Sequence, residues 1–399
     1  MNTRKGLAGI AALLVLAMAL AGCTKEEPRK GAVLGHDRIE VRALEDQGAA
    51  LARMAREGVK GATYVHVAAY AGLRKAVPET MRLVRDAASA GRWGEIGPGG
   101  RVSSDEFLSV AASLGIVREV YWLHPYEAYE DIVYAEGSVR EFLKKREPGF
   151  DPREVDVMRW EGGCLRGQAS GVMLHVCGSG FVPEIKGPVV VGIDPGFFDH
   201  AAHELRLTKL GTMKLLLDLL ALREIETRAV YVSYGIREGH VRPLHRYLGD
   251  ELMEALENPL ILKEDIPPVL WSVRDQAEDM LYAGMTDKAL ELLVAQEQNF
   301  PGDRALALMH AAALVQASRY DEALAMAQGV CDAYTPSCAV LPYLGYLAVE
   351  MGDTEHAGMF ARAAEGRLPG GYVWPDQSDY AALDRAERER APAEPAVER

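Results

Sequence analysis

An α/β domain followed by an all-helical domain is the architecture predicted by this chain of 399 residues, and two patterns carry the prediction. Short, partly β-branched apolar segments at 63–70, 116–123, 172–177, 188–193 and 229–234 alternate with charged stretches of helical spacing. Such alternation reads as a largely parallel sheet covered by helices. Further on, Ala289, Ala323 and Ala357 recur at a 34-residue interval, and Leu293, Ala327 and Ala361 follow each by four. A fixed period of that length marks stacked helical hairpins, because each unit must bury its apolar face against the next.

Taken in chain order, residues 1–22 come first. Arg4 and Lys5 precede an uncharged apolar and glycine run from Gly6 to Gly22 that ends in Leu20-Ala21-Gly22-Cys23. This resembles a bacterial lipoprotein signal, which implies cleavage before Cys23 and lipidation of its thiol. A membrane-spanning anchor would need about 20 continuous apolar residues and would leave Cys23 unexplained. Several acyl chains give stable anchorage where one is marginal. Thr24 stands where an aspartate would favour the inner membrane. The expected location is therefore the bacterial envelope, at the outer membrane where there are two.

Removing the signal leaves 377 residues, enough for two domains with good cores. The formal charge of -14 becomes -16 once Arg4 and Lys5 are gone. No basic cluster interrupts this acidic balance, so nonspecific nucleic-acid binding, which relies on phosphate neutralisation, is not expected. A linker at 23–35 leads into the α/β domain, expected over 36–266 with covering helices such as 42–57 and 204–222. The glycine-rich stretches "RWGEIGPGGRVSS" and "EGGCLRGQASG" read as loops or hairpin turns. Neither has the spacing of a phosphate-binding loop before a helix, which argues against a nucleotide.

Four cysteines remain after the signal, and in an exported chain the pairs Cys164 with Cys177 and Cys331 with Cys338 are disulfide candidates. Structural zinc is the competing use, but neither pair has the close two-residue separation of a persuasive zinc site. The 34-residue units, expected over 270–369, carry Pro301, Pro336 and Pro369 near their ends and Leu344-Gly345 where paired helices approach. They resemble tetratricopeptide repeats, an array that commonly supplies a concave binding face. Met309, Met326, Met351 and Met359 read as core filling. The tail at 384–399 alternates charge with alanine and proline and is expected to be disordered.

Three stretches then occur in a telling order: "FLSVAASLGIVREVYWLHP" at 107–125, "VVVGIDPGFFDH" at 189–200 and "TRAVYVSYGIREG" at 227–239. Over about 60–260 they resemble a ureohydrolase-like family that includes peptide arginases. The resemblance implies an arginase-like three-layer fold and a pair of manganese ions. In that family two strand ends supply the metal ligands. Here "YVHVAAYAGLR" at 64–74 retains His66 but places Ala68, Tyr70 and Gly72 where aspartate, histidine and aspartate are expected. At the second strand end Asp194 survives and Gly196 replaces its partner.

Two metals held together lower the pKa of a bridging water and aim the hydroxide at a guanidinium carbon. Alanine and glycine offer no side-chain ligand, and tyrosine stays neutral until about pH 10. The hydrolase site therefore reads as dismantled, with no cofactor expected. The resulting reading is a noncatalytic binding or scaffold lipoprotein with an envelope protein or peptide partner. The alternative is an exported hydrolase with a relocated Mn or Zn site acting on guanidino or amide groups. Asp194, Asp199, His200, His203 and Glu204 would form that site, since "DHAAHE" spaces its histidines for one helical face. Glu161 and His175 are further candidates, while a cap for the following helix is the plain role for Asp194. Tyr121, His124 and Tyr126 are pocket candidates, although strand packing explains the same side chains. Ser233 lacks the flanking glycines of a nucleophile elbow, and Glu238 and His240 have no nucleophile beside them in sequence.

Overall fold

The computed structural model describes residues 41–96, 102–125, 132–145, 147, 149–178, 181–205, 207–235, 241–263, 267–334 and 339–367. The signal, Cys23, the 23–35 linker, Tyr126, Glu238, His240, Cys338 and the 384–399 tail lie outside them. Among the described residues no helix is long and apolar enough to cross a membrane.

The first unit runs β1 (Val41–Leu44), α1 (Gln47–Arg56), β2 (Ala62–Val67), α2 (Pro78–Ser89), α3 (Phe107–Ser113), β3 (Val117–His124), α4 (Ile132–Lys145) and α5 (Pro152–Asp156). It continues through β4 (Arg159–Glu161), β5 (Cys164–Ala169), β6 (Val172–Gly178), β7 (Val189–Ile193), α6 (Gly196–Leu205), α7 (Lys209–Leu222), β8 (Thr227–Ser233) and α8 (Arg246–Glu257). Eight strands form one sheet in the order β1-β8-β7-β2-β3-β6-β5-β4. Pairing is parallel from β1 to β6 and antiparallel through β5 and β4. The continuous apolar run Val189–Ile193 is buried on both sides, as a central parallel strand must be.

Connection handedness explains the layers. Parallel crossovers are right-handed, so moves in opposite directions along the sheet lay their helices on opposite faces. From β1 through β4 the crossovers move one way, and α1 to α5 pack on the face carrying Tyr64, Val120, Trp122 and Tyr231. From β6 through β8 they move back, and α6 and α7 cover Val65, Val67, Val191 and Val232 on the other.

The helix expected over 42–57 starts later than its sequence pattern implied. Val41–Leu44 pairs with Val230–Ser233 of β8, and Asp46 caps α1 by accepting the Ala49 N–H at 2.8 Å. That expected over 204–222 is interrupted, because the Thr208 hydroxyl accepts the Gly211 N–H and begins α7 afresh. "EGGCLRGQASG" supplies the β4–β5 hairpin, and Cys164 is bonded to Cys177 directly across β5 and β6.

The second unit is helical: α9 (Val269–Tyr282), α10 (Thr286–Asn299), α11 (Arg304–Gln316), α12 (Tyr320–Tyr334), α13 (Val340–Glu350) and α14 (Thr354–Ala364). The helices α10, α12 and α14 begin 34 residues apart, as the alanine period requires. They form an outer row that buries narrow stripes, such as Ala289 with Leu293 and Phe360 with Ala364. The row of α9, α11 and α13 lies inside. In α11 a run from Leu308 to Val315 is wholly buried, a pattern no two-sided surface helix shows. Its apolar residues share one core with Leu248, Leu252 and Leu256 of α8, and Ala339 before α13 packs with Tyr234 and Val241. The inner face, where a binding concavity was expected, thus meets the α/β unit at α9, at α11 and just before α13.

Candidate functional site

In an open α/β sheet, ligands gather at the carboxyl ends of strands where the connections diverge. Here β2 leads outward to β3 and β7 leads back to β8, so that point lies between the ends of β2 and β7. The remnant motifs stand there. Asp194 follows β7, and its N–H donates to the Val67 carbonyl at 2.8 Å.

The crevice is filled by residues at the positions where the resemblance led one to expect ligands. The Tyr70 hydroxyl donates to Asp194 Oδ2 at 2.8 Å, and the Gly196 N–H donates to Oδ1 at 2.9 Å. Asp194 therefore helps to start α6, the plain role considered for it. His66 is fully buried, with Nε2 2.8 Å from the Tyr70 carbonyl oxygen. Trp122 Nε1–H donates to the Ala68 carbonyl at 2.8 Å. Gly72 has φ +65°, and a Cβ there would lie 2.8 Å from Phe107 Cε1 and 3.1 Å from the Ser104 carbonyl. An aspartate at position 72 would be strained by the positive φ, and its Cβ would collide with Phe107. Tyr64 makes a similar demand, for its hydroxyl would sit 1.9 Å from a Cβ on Gly192. Burial, with the nearby Tyr231 second, drives the Tyr64 hydroxyl well above the usual phenol range. These positions do not fit a manganese pair.

The other sequence candidates separate in space. Tyr121 and His124 project to opposite faces of β3, because strand side chains alternate. Tyr121 stacks on His175 at 4.1 Å, and His175 Nε2 is 2.9 Å from Glu119. Burial lowers the His175 pKa against the opposing influence of Glu119. His124 lies beside Trp122 and Phe142, with burial lowering its pKa to about 4. This is packing, and the two do not share a pocket. Glu161 pairs with Arg166 at 2.9 Å, and Ser233 is a buried strand residue. The side chains of His203 and Glu204 lie outside the described residues, although both positions fall within α6.

Asp199 instead meets His245 and Glu278, and the potential ligand atoms of these three lie within 4.8 Å of one another. His245 Nε2 is 2.6 Å from Glu278 Oε1, while Nδ1 is 3.5 Å from Asp199 Oδ2. The Lys209 ammonium contacts Glu278 and lies 3.6 Å from Asp199. The Tyr247 hydroxyl donates to the second Glu278 oxygen, and Asp275 Oδ1 lies 3.2 Å from the same hydroxyl. Burial works to raise the Asp199 and Glu278 pKa values, but His245 and Lys209 overcome it, with Arg242 also acting on Asp199. Asp199 is held far below the carboxylate range and Glu278 at about 2. Lys209 responds in kind: burial favours its neutral form, and the carboxylates nevertheless raise its pKa.

This is a degenerate metal-ligand cluster whose carboxylates are neutralised by the Lys209 ammonium. His245 lies at hydrogen-bond distance from Glu278 and at a looser 3.5 Å from Asp199, so the imidazole spans the two carboxylates. Further along the same seam, Arg274 joins Glu251 at 3.1 Å and Asp303 at 2.5 Å. The network therefore links α6, α7 and α8 to α9 and α11. The sequence reading missed His245, Lys209 and Glu278, which are distant in the chain from Asp199. A signal was present in α9, where Arg274 and Glu278 lie on the buried stripe with Trp271, Ala277 and Leu281. The chain matches no protein-family model, no curated protein and no solved structure.

Proposed function

We propose that this protein is a noncatalytic scaffold lipoprotein of the bacterial envelope, held to the membrane through Cys23 and engaging a protein or peptide partner through its helical unit. The fold is read as an arginase-like pseudoenzyme domain joined to tetratricopeptide-like repeats. The carrying observation is the filled crevice between β2 and β7. Tyr70 occupies Asp194, and Phe107 takes the space an aspartate at 72 would need. Loss of ligands alone would leave a cleft, whereas packing across it removes the place for a substrate. With much of the inner row packed against the α/β unit, the outer row is the more open helical face for a partner. The sequence around Cys23 and Thr24 supports anchoring, at the outer membrane where there are two. The acidic balance gives nucleic acid no purchase.

The competing hydrolase would have to bind its ion at Asp199, His245 and Glu278, displacing the Lys209 ammonium. Metal content of the purified, unlipidated mature chain, then titration with Mn²⁺ and Zn²⁺, separates the readings. Absence of stoichiometric binding is the expected result. Tight binding lost in Asp199→Ala and Glu278→Ala, together with release of product from guanidino or amide substrates, would overturn the proposal. Cys23→Ser should abolish incorporation of labelled palmitate in cells.

A further inference from the structure

Residues of α10, α11 and α12 line a groove of about 400 Å³, with Leu290, Val294, Leu314, Ala325 and Met326 as its apolar surface. A cavity of roughly 150 Å³ already admits a benzene-sized group, so this one has room for two large side chains. Val294 is 50% exposed on its wall. One turn beyond Ala325, Gly329 is exposed and has nothing within 4 Å of where a Cβ would stand, so another backbone can come close along α12.

The charge around the groove is one-sided. Asp287 and Glu291 share the α10 stripe of Leu290 and Val294, and Asp321 lies one turn before Ala325 on α12. All three are exposed, and their carboxylates have no ion-pair partner among the described residues. Like charges four apart on a helix repel, so Asp287 and Glu291 gain from a cation brought beside them. The chain does not supply it. Arg319 at the rim is held by Glu322 at 2.6 Å, His310 Nδ1 lies 2.9 Å from Glu297, and helical spacing turns Lys288 off the stripe.

We infer that this groove takes a basic amphipathic helix from another protein, with its apolar side chains in the groove and its Lys or Arg residues against Asp287, Glu291 and Asp321. A helix lying in an apolar groove anchors through one stripe and leaves its polar flanks at the rim, where the free carboxylates stand. A second copy of this chain, at a net charge of -14, is disfavoured at an acidic rim. The inference rests on the reading of the helical unit as the partner-binding unit and names the chemistry of that partner.

Calorimetry of the mature, unlipidated chain tests it with helical peptides of about fourteen residues, roughly 21 Å long. One carries leucine on one face and lysine on the other, the second has glutamate for each lysine, and the third has serine for each leucine. The lysine–leucine peptide should bind tighter than about 100 μM at about 0.1 M salt and weaken as salt rises, with the other two about tenfold weaker or more. Ala325→Arg, which fills the groove, and the pair Glu291→Lys with Asp321→Lys should each weaken binding about tenfold or more, with circular dichroism unchanged. Bound peptide should slow hydrogen exchange in α10 and α12. No binding, equal binding of the glutamate peptide, or full binding by both variants overturns the inference. Protection confined to α9, α11 and α13 also overturns it, while leaving a partner on the helical unit. The metal titration reads the other unit, so the noncatalytic reading and this docking fail separately.

Discussion

Replacing Asp275 with asparagine should stabilise the protein at neutral pH, although it removes a charge from an ion network. Asp275 is partly buried on α9, with burial the main influence and the Glu278 carboxylate the next, and together they raise its pKa from 3.8 to about 6. Lys209 and the Tyr247 hydroxyl only partly oppose them. The groups facing it also include Asp279 on its own helix and Glu251 on α8. A carboxyl with a raised pKa binds its proton more tightly when folded. Its penalty is therefore complete above about pH 6 and fades as pH falls towards the unfolded value near 4. A shift of about two units corresponds to roughly 3 kcal/mol, and solvent screening reduces the expected gain to roughly 1–2 kcal/mol. Asparagine keeps an oxygen that can accept from Tyr247, which makes the substitution close to a removal of charge alone. Urea denaturation at about pH 7.5, 6 and 4 measures the difference. A destabilised variant at pH 7.5, or a gain that does not shrink by pH 4, would refute the electrostatic account.

Tyr70→Phe deletes a buried donor to a carboxylate and should cost roughly 1.5–3 kcal/mol, seen as a lower denaturation midpoint. Gly72→Asp should lower stability and confer no Mn²⁺ binding by calorimetry, because Phe107 and the positive φ exclude the side chain. Joint replacement of Cys164 and Cys177 by alanine should cost roughly 2–4 kcal/mol under oxidising conditions, with reducing agent erasing the difference from the parent. Leu306→Ala opens a cavity in the inner row and should cost about 2–5 kcal/mol, with circular dichroism and tryptophan fluorescence reporting one shared transition.

The strands at the sheet centre were legible because Val189–Ile193 and Val117–His124 carry enough β-branched and aromatic residues to announce themselves. Val41–Leu44 was not, because Arg42 interrupts a four-residue segment at the sheet edge, where it pairs with Glu57 at 2.9 Å. A charged residue there looks helical until the neighbouring strand is known. That Ala68, Tyr70 and Gly72 differ from the ligands the resemblance implies could be read directly, but the packing around them could not, since Phe107 reaches Gly72 only in the folded sheet. Asp199 showed the same limit in reverse. Its nearest sequence candidates were His200 and His203, whereas chain topology brings His245 and Glu278 from two later elements.

The buried inner row gives the helical stack a fixed boundary. A free solenoid resembles a one-dimensional polymer that can begin to order, or fray, from either end. Here α9 is also a wall of the neighbouring unit, so one end behaves as a seed already in place and the other as a growing tip. Duplication of a hairpin after α14 would lengthen such a polymer without disturbing the seam. Insertion before α9 would have to rebuild the whole Arg274–Glu278 junction. The stack has a direction of growth written into its first helix.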